Sequence, residues 1–407
     1  MKVLKLSTLL CLLFSSATFA NENNSTLDAY ISDVKKEQFK YDYEKNEAEG
    51  SKLHDAWIAP INLNYSYSRS KPGSKELTKQ TAAIRMDQPI FQSGGIYYGI
   101  KFANASRLYA DYSVDVAKRK MIKETISILM QIKQTTLLVS KQELQILNAE
   151  IDLEQKKEQY LNGQLDSGFL DNAVIQKNIV TQALYDIQTT KEKLITQFQT
   201  LSDLSYEKVS IPHLEFISSE DFIKHNIVLK RYEAEAQKNQ HYKDVTVSKY
   251  LPKVSLTAGY NWTSGEQFLS NSIIINNELS YYDYGVKASM PLDINAFRDI
   301  ESAKVDFLKS QVVTQDKQRE LNALFEQVMH NVKNFDKKIQ LSKNTTDIYS
   351  KLLVDTQALF NAGYKTQYDV DTLQNSLKIQ NLESKVYEID KQLALLTLYE
   401  MYVNDGK

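Results

Sequence analysis

From Ala296 to Asn361 the chain runs without a single Gly or Pro. Along this run an apolar-or-small stripe recurs at four-three spacing: Val328, Val332, Phe335, Ile339, Ser342, Thr346, Tyr349, Leu353, Thr356 and Phe360. That is a heptad, the period of a helix packed on other helices along its whole length. Such a helix is roughly 100 Å long at about 1.5 Å per residue, against about 11–12 residues for an ordinary globular helix. The pattern implies a function that uses length.

A second long helical run is predicted over 95–162, interrupted only by Gly99. Its stripe is less regular, through Ile122, Ile126 and Leu129, then Leu144, Leu147 and Ile151. Gly163 and Gly168 break it, and helix resumes over 170–204. Elsewhere the period drops to two, the signature of a strand with unlike faces. Ile61, Leu63, Tyr65 and Tyr67 alternate with Asn62, Asn64, Ser66 and Ser68, predicting a strand over about 57–69. After turn chemistry at Lys71-Pro72-Gly73-Ser74, a weaker alternation predicts a second strand over about 79–90, ended by Pro89. Val254, Leu256, Ala258, Tyr260 and Trp262 alternate with Ser255, Thr257, Gly259, Asn261 and Thr263, for a strand over about 253–264. A polar loop over 265–279 is expected next, then a strand over about 280–291 ended by Pro291. Helices are expected at 219–249, with Ser219 as N-cap, and at 367–402.

Read together, the halves repeat one order: helix, Pro, two strands, Pro, very long helix, Gly break, helix. Pro60 corresponds to Pro252, Pro89 to Pro291 and Gly163 to Gly363, and Ser93-Gly94-Gly95 opens the first long helix. The expected layout is a first repeat over 21–218 and a second over 219–407. Residues 1–20 read as a secretory signal: Lys2 and Lys5, an apolar core at 6–14, then a small-residue cleavage region ending at Ala20. Cys11, the sole cysteine, sits inside that signal, so no disulfide and no thiol-linked lipid is expected in the exported chain. Forty-nine basic residues against 51 acidic ones remove the electrostatic case for nucleic acid.

Exported alternating strands with aromatic ends suit a membrane β-barrel. Four strands cannot close one, because small barrels need about eight. An open sheet cannot sit in lipid with its edge N–H and C=O groups unsatisfied. Several copies must then contribute to one barrel, eight strands from two or twelve from three. The competing expectation is a soluble sheet whose apolar face is covered by helix.

At Ala59-Pro60-Ile61, Asp87-Gln88-Pro89-Ile90-Phe91-Gln92-Ser93-Gly94-Gly95, Tyr250-Leu251-Pro252-Lys253-Val254-Ser255-Leu256, Met290-Pro291-Leu292 and the stretch 360–370, the chain resembles the TolC-like outer membrane efflux proteins. The likeness lies in the order and spacing of these segments over about 25–402. It implies a mostly helical homotrimer. A 12-stranded outer membrane β-barrel, four strands per chain, would continue into a periplasmic α-barrel of coiled-coil helices. The implied function is a passive exit duct for efflux or type I secretion. Its implied partners are outer membrane lipid, a periplasmic adaptor (membrane fusion) protein and an inner-membrane transporter. The tips Asn162-Gly163-Gln164 and Ala362-Gly363-Tyr364 would meet the adaptor, or each Gly is simply a helix C-cap. Asp369 corresponds to the first of two aspartates that ring the periplasmic aperture, a cation-selective constriction. The second position is Thr372 here, with Asp371 one residue off, roughly 100° around a helix. Lys365 falls where a basic residue helps to hold the tip closed. At the first tip an extra Gly168 intervenes, and Asp171 lies two residues further from its Gly than Asp369 does. Tyr281, Tyr282, Tyr284 and Trp262 are candidates for an aromatic belt.

No enzyme signature is found. The five His are scattered, and HExxH, GxSxG, Walker A and GxGxxG are missing, so no catalytic residue, metal or cofactor is expected. Two alternatives stay open: an exported coiled-coil protein linking envelope layers without a pore, and a soluble periplasmic binding module.

Overall fold

The computed structural model describes residues 27–71, 76–270 and 273–403. The expected signal and most of the turn after Lys71 lie outside them. Among the described residues the chain forms seven α-helices and one sheet. The helices are α1 (Asp33–His54), α2 (Gly95–Leu161), α3 (Ser167–Leu201), α4 (Ser219–Lys224), α5 (Ile227–Lys249), α6 (Ala296–Asn361) and α7 (Gln367–Tyr399). The strands are β1 (Asn62–Ser70), β2 (Leu77–Phe91), β3 (Lys253–Ser270) and β4 (Ile273–Ser289), antiparallel in the order β1-β2-β3-β4. None of the described helices is long and apolar enough to cross a membrane.

The helices form a wall one helix thick. Toward the sheet, α1 lies on α2, α2 on α5 and α5 on α6. In the other half, α3 lies on α2, α2 on α7 and α7 on α6. The main core is a belt across the middle, where Ile126, Met130, Phe222, Leu321, Leu396 and Leu398 are buried together. The α6 stripe explains how that helix stays attached beyond the belt. All ten stripe positions are buried or half-buried, whereas most residues between them are exposed. Both antiparallel hairpins use the same buried polar tie: Gln142 Nε2 donates to the Val180 carbonyl across α2–α3 at 2.8 Å, and Ser342 Oγ donates to the Gln380 carbonyl across α6–α7 at 3.1 Å.

Several element ends differ from the sequence expectation. β1 begins at Asn62, not near 57, because α1 runs on to His54 and the chain then turns, with Ile58 N–H bonded to the Asp55 carbonyl. β2 passes through Pro89 to Phe91, where a register shift accommodates a residue lacking an N–H. Residues 265–279 are mostly strand rather than loop, paired in register as Gly265↔Asn277, Glu266↔Asn276 and Gln267↔Ile275. Helix 219–249 is two helices, split where Asn226 leaves the helical path, caps Leu229 N–H and bridges to Tyr402. Ser218, not Ser219, caps α4. α3 spans Ser167–Leu201 and α7 stops at Tyr399, after which residues 400–403 fold back onto the 225–227 segment.

Candidate functional site

The sheet is inside out by the standards of a soluble protein. Paired residues of an antiparallel sheet share a face, so the register sorts the side chains into rows. One face carries Leu63–Ile84–Tyr260–Tyr282, Tyr65–Ala82–Trp262 and Leu256–Val286. The other carries Asn62–Arg85–Gly259–Asp283 and Ser66–Thr81–Thr263. The apolar face is bare: Tyr284 is 82% exposed, Leu63 and Tyr282 75%, and Val286 71%. Ser255 and Asn261, on the polar face, are buried. No helix packs extensively on the sheet, and on the polar face Arg85, Asp87 and Asp283 stay exposed. Among the described residues no helix covers the apolar face, contrary to the expectation for a soluble sheet. On the polar face Arg85 donates to Asn261 Oδ1 at 3.1 Å, and Asn261 donates to Asp283 Oδ1 at 2.7 Å. Tyr281 shares the row of Asn261 and lies on this polar face, unlike the other belt candidates Tyr282, Tyr284 and Trp262, which lie on the apolar face.

At the strand–helix junctions, Pro60 and Pro252 precede β1 and β3, and Pro291 follows β4. Gly94 holds φ 87° as the N-cap of α2, a left-handed geometry that glycine adopts without a Cβ clash. A Cβ on Gly95 would meet Ser248 Oγ at 2.9 Å, so α2 and α5 approach closely there.

At the opposite end the two tips are built alike. Gly163 N–H bonds to the Tyr160 carbonyl and Gln164 N–H to the Gln159 carbonyl. Gly363 N–H and Tyr364 N–H do the same with Phe360 and Leu359. Each tip is therefore a Schellman close with Gly in the left-handed region, φ 71° and 80°. In both tips the next N-cap lies three residues after the Gly, at Asp166 and Thr366. The expected longer first turn is not present: Gly168 lies inside α3, and the position equivalent to Asp369 is Phe169, not Asp171. Asn162, Gly163 and Gln164, like Ala362, Gly363 and Tyr364, are all exposed.

Asp369 is held by the start of its own helix. Its Oδ2 accepts from Thr366 N–H and from Thr366 Oγ1, both at 2.9 Å, closing a capping box. Those bonds to Thr366 hold its carboxyl below the usual range, and Lys365 adds to the effect. Lys365 Nζ reaches Asp369 Oδ1 at 3.4 Å, within the same turn. Asp371 Oδ1 accepts from Gln367 Nε2 at 2.7 Å. A groove beside them is lined by Asp152, Thr356, Lys365, Tyr368, Asp369 and Thr372.

Sequence reasoning missed the ties between the two hairpins. Along α2 and α7, Gln134 donates to Asp390 at 2.6 Å, Lys141 to Glu383 at 2.6 Å, Asn375 to Asn148 at 3.0 Å and Tyr368 OH to Glu158 at 2.9 Å. The bond to Glu158 raises the Tyr368 phenol above its ordinary value. Burial pushes the Asp390 carboxyl up. Burial also pushes on Glu383, but its bonds with Lys141 and Tyr387 outweigh it and the carboxyl ends below the usual range. The available signal was Gln134, Lys141 and Asn148 at intervals of seven.

Residues 219–402 match the family model described as outer membrane efflux protein. That match takes in the second long helix and the two strands before it, and stops short of half the chain. The whole fold agrees with that of solved outer membrane proteins and channels. VceC from Vibrio cholerae superposes with a TM-score of 0.68 at 14% identity, covering 90% of this chain and 93% of that one. CusC, whose structures concern transmembrane channel formation, gives 0.71 at 13% identity over 96% and 94%. The Campylobacter jejuni CmeC outer membrane channel gives 0.70 at 13% over 98% and 93%. No curated protein matches the chain. In this fold the strands form one end and the Gly163 and Gly363 tips the other.

Proposed function

We propose that three copies of this chain close into an outer membrane duct. Each contributes four strands to a twelve-stranded barrel and a third of the helical wall below it. The observation that carries this reading is the inverted sheet, with its apolar face bare and its polar and charged residues gathered on the other face. Lipid satisfies the first and a water-filled lumen the second. The edges support the same closure. β1 and β4 each have one unpaired side, and an unpaired edge is excluded from hydrocarbon. The outer helices also expose apolar side chains, Val174, Ile175 and Ile179 on α3 and Val305, Leu308 and Val312 on α6. Three copies are favoured over two because eight strands fill with side chains while twelve leave a lumen.

The matched tips, with N-caps at the same distance from Gly163 and Gly363, and the paired ties at Gln142 and Ser342, support a duplicated chain. The signal-bearing, exported protein would sit in the outer membrane with its helices in the periplasm. Solutes pass through it passively, delivered by an inner-membrane transporter and a periplasmic adaptor. The tips are the adaptor surface in this reading, with Leu161 and Tyr364 exposed beside the two glycines. Asp369 and the Tyr368–Glu158 tie govern the aperture, and Lys365 steadies Asp369 rather than reaching another helix.

The test is fractionation followed by electrophysiology. A detergent-stable trimer recovered from the outer membrane, giving discrete currents in planar bilayers, is the expected result. A soluble monomer without currents overturns the reading and favours the pore-free coiled-coil linker.

A further inference from the structure

The polar face of the sheet is not electrically neutral. By register it carries Lys79, Arg85, Lys253 and Lys287 against only Asp87 and Asp283. The two carboxylates are engaged: Lys287 Nζ lies 3.9 Å from Asp87, and Asp283 closes the Arg85–Asn261 chain. Lys79 and Lys253 have no carboxylate within ion-pair distance among the described residues. Their cross-strand neighbours are small and uncharged: Ser68 and Gly265 beside Lys79, Ser289 beside Lys253. The charges of the opposite face, Arg69, Glu266 and Glu278, lie together toward the free hairpin end.

Lys79 and Lys253 stand about 40 Å apart along β3 at about 3.3 Å per residue. The Debye length in physiological salt is about 8 Å, so each acts on its own stretch of the lumen. Rings of Lys or Arg favour anions in a pore, as rings of Asp or Glu favour cations.

We propose that the strand-lined part of the duct prefers anions, and that Lys79 and Lys253 set this preference, one at each end of the sheet. The inference rests on the duct reading above. It fits anionic solutes as cargo for this segment, in series with the carboxylate of Asp369 at the far tip.

The test is the reversal potential of the purified full-length protein in planar bilayers under a KCl gradient. It is measured in the native chain and with Asp369→Asn, which removes that carboxylate from the tip. In the Asp369→Asn background the potential is expected to report anion preference, and Lys79→Glu with Lys253→Glu to reverse its sign. An unchanged potential in a conducting double variant overturns the inference while leaving the duct intact. Absence of current from the native chain overturns both. Should the double variant fail to assemble, Lys79→Cys supplies a second measurement, since Cys11 is the only native cysteine. Cationic and anionic methanethiosulfonates are expected to move the potential in opposite directions, and equal responses overturn the proposal.

Discussion

At the residue scale the tip is governed by bonds that two side chains make in different ways. Asp369 spends its carboxylate on its own helix, through Thr366. Its folded pKa lies below the unfolded value. The cap therefore stabilises above the unfolded pKa and is lost as pH falls through the folded one. Hydrogen exchange across the first turn of α7, corrected for intrinsic rates, is expected to lose protection on acidification below the carboxylate range. In Asp369→Asn that pH dependence should vanish. Tyr368 instead bonds across to Glu158 on α2. Tyr368→Phe removes that tie without changing shape, and single-channel conductance is expected to rise; a conductance equal to native would show that the tie does not restrain the aperture. The capping role of Asp369 was legible in sequence as Thr-x-x-Asp, a local spacing. The Tyr368–Glu158 tie was not, because it depends on two helices lying side by side that are 210 residues apart in the chain.

Elements were legible wherever one period held throughout. The stripe of α6 kept its heptad to the tip, and the helix ends at Asn361, two residues before Gly363. Ser342 shows why small residues occupy parts of that stripe: it is buried and tied to the Gln380 carbonyl. Ser342→Leu is expected to push α6 from α7 at a cost of about 1–3 kcal/mol. Protease sensitivity of the lower α6 should rise, while Ser342→Ala, which loses one hydrogen bond at about 1 kcal/mol, should change it less. The β3–β4 hairpin was misread because its outer part places apolar residues in runs, Phe268-Leu269 and Ile273-Ile274-Ile275, so alternation disappears although backbone pairing continues. Asn226 was similarly hidden. A capping Asn inside a helical pattern breaks the helix only because the folded-back chain end offers it a bridge to Tyr402.

For the whole molecule, the decisive feature was partly visible beforehand. Alternation predicted two unlike faces, but which face would be covered is a property of the assembled chain. The register sets Leu256 beside Val286 on the bare face. Leu256→Arg is expected to cost about 2–4 kcal/mol if that row lies near the bilayer midplane, read as loss of trimer from the outer membrane. Thr257→Arg, on the opposite face, should be tolerated. The two open edges of the sheet also constrain the order of events before any duct exists. A lone copy offers its β1 and β4 edges and an uncovered greasy face to whatever it meets, which is the profile of an aggregating intermediate. Helical contacts are local and fast to form, whereas edge pairing between copies waits on encounter. In the trimeric duct proposed above, each chain's helices would therefore form before its strand edges find their neighbours. Biogenesis of this protein would then depend on copy number, with dilute chains held by chaperones or degraded rather than inserted singly.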